Sequence, residues 1–146
     1  MTKTQKDFMA KASRALEEAR VLLQAEGYEG ACNRAYYAMF DAAHAALLGS
    51  GVMDKPPATH SGLIAAFGLK LVNTGAIQPE SGRALRQVES LRGIADYGVE
   101  AITADKARWA VSQAEDFICV VRQLLSQDLT NKPTEPGSSS TPSFDI

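Results

Sequence analysis

The sequence predicts an all-α protein, an up-and-down bundle of four to five helices. Three observations carry this reading. Apolar residues recur at three- and four-residue spacing through most of the chain, no segment alternates with the period of two that a half-buried strand requires, and Gly, Pro and cap-competent Thr punctuate the periodic segments at short intervals. At 146 residues the chain has the length of one ordinary domain and can bury a core without disulfides or metal.

The elements follow in order. Phe8, Ala12, Ala15, Leu16, Ala19, Leu22 and Leu23 repeat with helical period after cap-competent Thr4 and before Gly27, which defines helix one. Helix two runs from about Tyr28 to Leu48, where Gly49-Ser50-Gly51 supplies a stop, and it should pair with helix one as an antiparallel hairpin. Residues 49 to 58, with Pro56-Pro57, form the longest internal loop. Thr59 caps a helix bearing Leu63, Ile64, Phe67, Leu71 and Val72, which Asn73-Thr74-Gly75 ends. Pro79 suits the first turn of helix four, whose expected core positions are Ala84, Val88, Leu91, Ala95, Val99 and Ile102, with Arg83, Arg86 and Arg92 elsewhere.

Thr103 caps helix five, where Ala107, Ala110, Val111, Ala114, Phe117, Ile118, Val121, Leu124 and Leu125 give the clearest periodicity of the chain. Trp109 and Val120 fall off that stripe and suggest a surface between subunits. The bundle is expected to span residues 1–128. Residues 129–146, rich in Pro, Ser, Thr and Gly, carry too little apolar surface to fold and are expected to be a disordered tail.

Helix two is the most distinctive segment. At about 100° per residue, Asn33, Tyr37, Phe40 and His44 share one face, while Ala31, Ala35, Ala38, Ala42 and Ala46 form a small-residue stripe roughly opposite. An alanine stripe lets another helix approach closely, and Tyr or His inside a protein needs a partner for its polar atom, so both faces should be covered.

Composition excludes several classes. A net charge of −2 creates no global field for nucleic acid or anionic membrane, so any RNA contact must rest on a local basic patch. Cys32 and Cys119 lie far apart without metal-ligand spacing, which reads as two buried thiols in a reducing compartment, with no metal and no cofactor. The N-terminus lacks a signal-peptide apolar region and no apolar run reaches transmembrane length, so a cytoplasmic protein without membrane contact is expected.

Helix four carries the run Leu91-Arg92-Gly93-Ile94-Ala95-Asp96-Tyr97-Gly98. A glycine inside a helix costs about 1 kcal/mol relative to Ala. Such glycines therefore serve a close helix approach, a bend, or ligand access to the backbone. Arg92 and Asp96 stand at i,i+4 spacing, the spacing of a simple ion pair.

Taken together, Gly27-Tyr28-Glu29-Gly30-Ala31, the run Asn33-Arg34-Ala35-Tyr36-Tyr37-Ala38-Met39-Phe40, Thr59-His60-Ser61-Gly62, and Arg92 with Asp96-Tyr97-Gly98 resemble the HEPN domain superfamily, in its small prokaryotic single-domain branch. The resemblance covers helix one to helix five and excludes the tail. It implies a HEPN-like bundle that forms a homodimer and works beside a minimal nucleotidyltransferase partner, as the toxin or RNA-processing component of a toxin–antitoxin or defence pair. Many members are metal-independent ribonucleases marked by an arginine and, a few residues on, a histidine, with a polar residue commonly following the arginine. Arg92 matches the arginine, but Gly93 replaces the polar residue and Tyr97 stands where the histidine would. In some members a tyrosine two places beyond that histidine is adenylylated by the partner; the position is Val99 here, which leaves Tyr97 as the substitute acceptor.

These departures bear on chemistry. RNA cleavage without metal needs a proton acceptor for the ribose 2′-hydroxyl and a fixed cation for the phosphate. Arg92 supplies the cation, Asp96 joins it as a candidate catalytic group, and Tyr97, as a phenol, is a poor base at neutral pH but can donate a hydrogen bond. On a straight helix Arg92 and Tyr97 diverge by about 140°, so their cooperation calls for a bend at Gly93 or Gly98, or for a cleft shared by two subunits. Asn33, Tyr36, Tyr37 and His60 are the candidate cleft-lining residues, and His60 or His44 is the source of an imidazole from elsewhere in the chain. Three readings stand: a ribonuclease, a non-catalytic module that binds nucleotide, RNA or a nucleotidyltransferase, and a structural adaptor.

Overall fold

A computed structural model describes residues 1–48 and 52–130. The expected Gly49-Ser50-Gly51 stop and nearly all of the expected disordered tail lie outside the described residues. The described residues form five helices: α1 (Lys3–Gln24), α2 (Tyr28–Leu47), α3 (His60–Phe67), α4 (Pro79–Tyr97) and α5 (Ala104–Thr130). A π-helical turn, Gly68–Val72, continues α3 directly. Among the described residues there is no strand, only an isolated bridge between Leu48 and Met53. The all-α bundle is as the sequence predicts.

The first two helices are fastened at both ends. Thr2, not Thr4, caps α1: its hydroxyl accepts from Gln5 N while the Gln5 side chain accepts from Thr2 N, a reciprocal box that leaves Thr4 inside the first turn. The same Gln5 amide is buried and donates to Ala45 O and Leu48 O, so the start of α1 satisfies carbonyls at the end of α2. That contact requires an antiparallel pair. At the other end, Gly27 N donates to Leu22 O and Glu26 N to Leu23 O, the bonding of a Schellman turn. The left-handed residue of this turn is Glu26, with φ 63°, rather than the neighbouring glycine.

α2 is the centre of the bundle and packs against the other four helices. Its stripe Ala31, Ala35, Ala38, Ala42 and Ala46 is buried, which lets neighbours approach the α2 backbone and bury larger side chains such as Met39, Leu47, Phe117 and Ile118 around it. The opposite face, Asn33, Tyr37, Phe40 and His44, is only half-buried, so the expectation that both faces are covered holds for one of them.

Helix four departs from its sequence pattern at the C-terminal end. It stops at Tyr97 with Gly98 in extended conformation, so Val99 is fully exposed rather than core, and Ile102 is buried from the following loop. Ile102 N donates to the Glu29 carboxylate, tying that loop to the start of α2. Leu85, which the helix-four core pattern omitted, is fully buried. Pro79 and Thr103 serve as read, the latter accepting from Lys106 N. α5 buries all its predicted stripe except Leu124, which is partly covered, and its backbone continues through Thr130, just past the expected start of the tail. Cys32 is buried, but Cys119 is exposed, which corrects the expectation of two buried thiols.

Candidate functional site

The polar-aromatic face of α2 meets the last turns of α4 and the first residue of α3. Arg92 is the hub. Its guanidinium is buried, at 6% exposure, and donates from Nη1 to Asp96 Oδ2 at 3.2 Å and from Nη2 to Glu89 Oε2 at 3.0 Å. Its Cζ lies 5.2 Å from the Tyr36 ring centre and 5.9 Å from that of Tyr97. Burial opposes the charge, but the Asp96 hydrogen bond and the fields of Tyr37, Asp96 and Glu89 outweigh it and raise the Arg92 pKa. The cluster therefore sets one permanent cation against two carboxylates.

Asp96 also accepts from Asn33 Nδ2 at 3.1 Å, which locks α4 to α2. The i,i+4 ion pair read from the sequence is thus present and shared with a third residue. Tyr97 ends the helix at 83% exposure. The length of the arginine side chain closes the angular gap between the two residues, so Arg92 reaches the Tyr97 ring although their Cα positions diverge. Gly93 has open space where a Cβ would point, so no other described helix of this chain packs closely on it, and a Cβ on Gly98 would meet Ile94 O at 2.7 Å.

The imidazole comes from α3. Thr59 caps this helix through Gly62 N, which fixes His60 as its first residue. His60 Nδ1 is 2.8 Å from the Tyr36 hydroxyl and Nε2 is 3.5 Å from that of Tyr37. The rings of Tyr37 and Phe40 lie 5.7 and 5.2 Å from the imidazole, centre to centre. Tyr36 is fully buried, and burial, reinforced by Glu89 and opposed by Arg92, pushes its phenol well above the ordinary range. It therefore keeps its proton and can serve as either donor or acceptor to Nδ1.

All seven sequence-derived candidates, Asn33, Tyr36, Tyr37, His60, Arg92, Asp96 and Tyr97, thus gather in one region. His44 does not join them: its ring stacks on Phe8 at 4.1 Å on the far part of the same helix face. Sequence reading missed Glu89, although its i−3 spacing from Arg92 was a usable signal, and Phe40 as a wall beside His60. Cys32, at the α2 side of the cluster, has its thiol pushed up to about 11 by burial, then by Glu29 and Asp96, which makes it a weak nucleophile. Among the described residues no group of three or more His, Cys, Asp or Glu side chains is placed to hold a metal ion. No helix there is long and apolar enough to cross a membrane.

A family model for the HEPN domain matches residues 5–124, most of the chain and every helix of the bundle. The chain belongs to the HEPN domain family. Similar proteins include a UPF0332 protein of Gloeobacter violaceus, 33% identical over 87% of this chain and 100% of that one. The protein named "Putative toxin MJ0605" from Methanocaldococcus jannaschii is 35% identical over 78% of this chain and 83% of its own. A UPF0332 protein of Thermotoga maritima is 33% identical over 79% and 86%, respectively. The HEPN match includes α2, α3 and α4, so it spans the elements that bring Arg92, Tyr36 and His60 together.

Proposed function

We propose that this HEPN protein is the RNA-acting toxin component of a two-protein pair, working as a homodimer beside a minimal nucleotidyltransferase, and that it cleaves RNA without metal at the Arg92–His60 cluster. One observation carries the reading. The Tyr36 side chain touches both groups, with Arg92 Cζ 5.2 Å from its ring and His60 Nδ1 2.8 Å from its hydroxyl. A guanidinium and an imidazole therefore converge on one phenol, although the motif histidine is absent from α4.

The chemistry assigns a role to each group. With its proton on Nδ1 and directed to the Tyr36 oxygen, His60 offers the Nε2 lone pair to a ribose 2′-hydroxyl. The 2′-oxygen attacks the adjacent phosphorus, an O2′–P bond forms, the P–O5′ bond breaks, and the proton passes to the leaving 5′-oxygen. The product is a 2′,3′-cyclic phosphate. Arg92 stabilises the charge that develops on the phosphate, with Tyr97 at the open rim as a hydrogen-bond donor. The exposed Ile94, Tyr97 and Val99 around that rim support a subunit interface, since clustered exposed apolar residues mark interaction surfaces.

A second reading is favoured by a specific observation. Arg92 already faces Glu89 and Asp96, so a phosphate must displace a carboxylate to reach it. This supports a non-catalytic module that binds RNA, nucleotide or the partner enzyme. Incubation of the purified protein with single-stranded RNA in EDTA separates the two. Cleavage giving cyclic phosphate ends, reduced about 10²- to 10⁴-fold in His60→Ala, is expected; intact RNA with wild-type protein across broad substrate panels sinks the ribonuclease reading.

A further inference from the structure

The cluster opens into a groove between α3 and α4 with a volume of about 870 Å³. One wall carries His60, Ile64 and Leu69, and the other carries Arg86, Glu89 and Ser90. On α4, Arg86, Glu89, Ser90 and Gly93 follow one another along a single face at helical spacing. The advance from Arg86 to Arg92 is six residues, about 9 Å along the axis and about 120° around it. The groove thus leads away from the reacting groups rather than enclosing them.

Its charges are unequally committed. Glu89 is held by Arg92, and Arg83, one turn before Arg86, pairs with Glu80 at 3.7 Å. Arg86 is exposed and has no ion-pair or hydrogen-bond partner among the described residues. Across from it Leu69 is 61% exposed, and the Tyr37 and Phe40 rings crowd His60 at the inner end. A cation on one wall, apolar surface on the other and aromatic rings at the end match the needs of single-stranded nucleic acid, whose phosphates seek charge and whose bases seek flat apolar contact. Gly93, three residues beyond Ser90 on the same α4 face, lies outside the groove lining, and a Cβ there would meet nothing within 4 Å.

We propose that this groove is the path of a single RNA strand, with Arg86 holding a phosphate next to the one presented to His60 and Arg92. The separation along α4 suits successive phosphates of a chain better than one phosphate of a free nucleotide. The proposal rests on the RNA reading above but not on cleavage. Arg86 is a binding residue for the strand.

The test is equilibrium binding of a short fluorescent single-stranded RNA to the full chain over a potassium chloride series. Arg86→Gln should weaken binding on the order of fivefold and flatten the dependence of log affinity on log salt by about 0.7, the share of one phosphate on a single strand. Arg83→Gln, which alters an already paired arginine, should change neither as much. Equal affinity and slope for Arg86→Gln and wild type overturn the strand path, even where cleavage persists. Weakened binding with a flattened slope sustains it even if wild type cuts nothing, an outcome that would sink the ribonuclease reading alone. Displacement of the strand by adenosine monophosphate at matched nucleotide concentration would also overturn it, in favour of a mononucleotide pocket.

Discussion

The two faces of α2 use the same backbone for opposite purposes. On one, five alanines at helical spacing are buried and remove side-chain bulk so that neighbouring helices come close. On the other, Asn33, Tyr37, Phe40 and His44 stay half-buried, and beside them Tyr36 reaches Arg92 and His60 from a fully buried position. The alanine face needs only volume matched to its surroundings. The polar face needs partners for its hydrogen-bonding atoms: Asn33 and Tyr37 find them on α4 and α3, while His44 Nδ1 has none among the described residues. The difference teaches that α2 is a packing spine on one side and a scaffold for charged and hydrogen-bonding groups on the other, and that each side should fail in its own way.

The largest effect on stability is expected on the alanine side. Ala42 has no exposed surface, so Ala42→Leu adds three carbons where close packing leaves no room. Overpacking of this kind costs about 1–3 kcal/mol, readable as a lower urea midpoint. Any RNA activity should fall only in proportion to the folded fraction. Unchanged stability in the Ala42→Leu variant would break the contrast, because it would mean that the stripe is not a close-approach surface.

Tyr36→Phe tests the other side with a smaller change in volume. It retains the ring against Arg92 and deletes the hydroxyl that meets His60 Nδ1. Loss of one such hydrogen bond costs about 0.5–1.5 kcal/mol. If the phenol positions the imidazole, turnover should fall by more than the loss of folded protein explains, with the apparent affinity for RNA little changed. A parallel loss in both quantities, tracking stability, would reduce Tyr36 to a core residue.

The same contrast explains what could be read from the chain alone. The bundle was legible because its signals are local: the period in α5, Pro79 at the start of α4, and Thr59 and Thr103 as caps all act within one or two turns. The end of α4 was not, since Val99 and Ile102 continue the apolar spacing although Gly98 turns the backbone away at Ile94 O. The π-helical turn after α3 leaves no signature in residue type. Within the site, the Arg92–Asp96 pair was readable as an i,i+4 contact. The contact between Tyr36 and His60 joins residues 24 apart across two helices, so sequence could name both without showing that they meet.

His44 supplies the smallest and most specific test of the polar face. Its ring is stacked on Phe8, its Nδ1 is buried without a hydrogen-bond partner among the described residues, and burial, aided by Lys11, lowers its pKa below 6.5. Phe40 is the other ring packed on it, at 6.4 Å, and no carboxylate enters the shift to offset the loss of hydration. The sign then follows from proton linkage. Below the unfolded-state value the unfolded chain holds a proton that the folded chain resists, so the contribution of His44 is fully present above about pH 6.5 and declines as pH falls toward the lower folded value. His44→Phe keeps a ring against Phe8 and removes the titration. Wild type should therefore lose more thermal stability than His44→Phe between pH 7.5 and 5.5, as followed by circular dichroism. Equal losses would mean that this end of the polar face is open enough to hydrate the imidazolium.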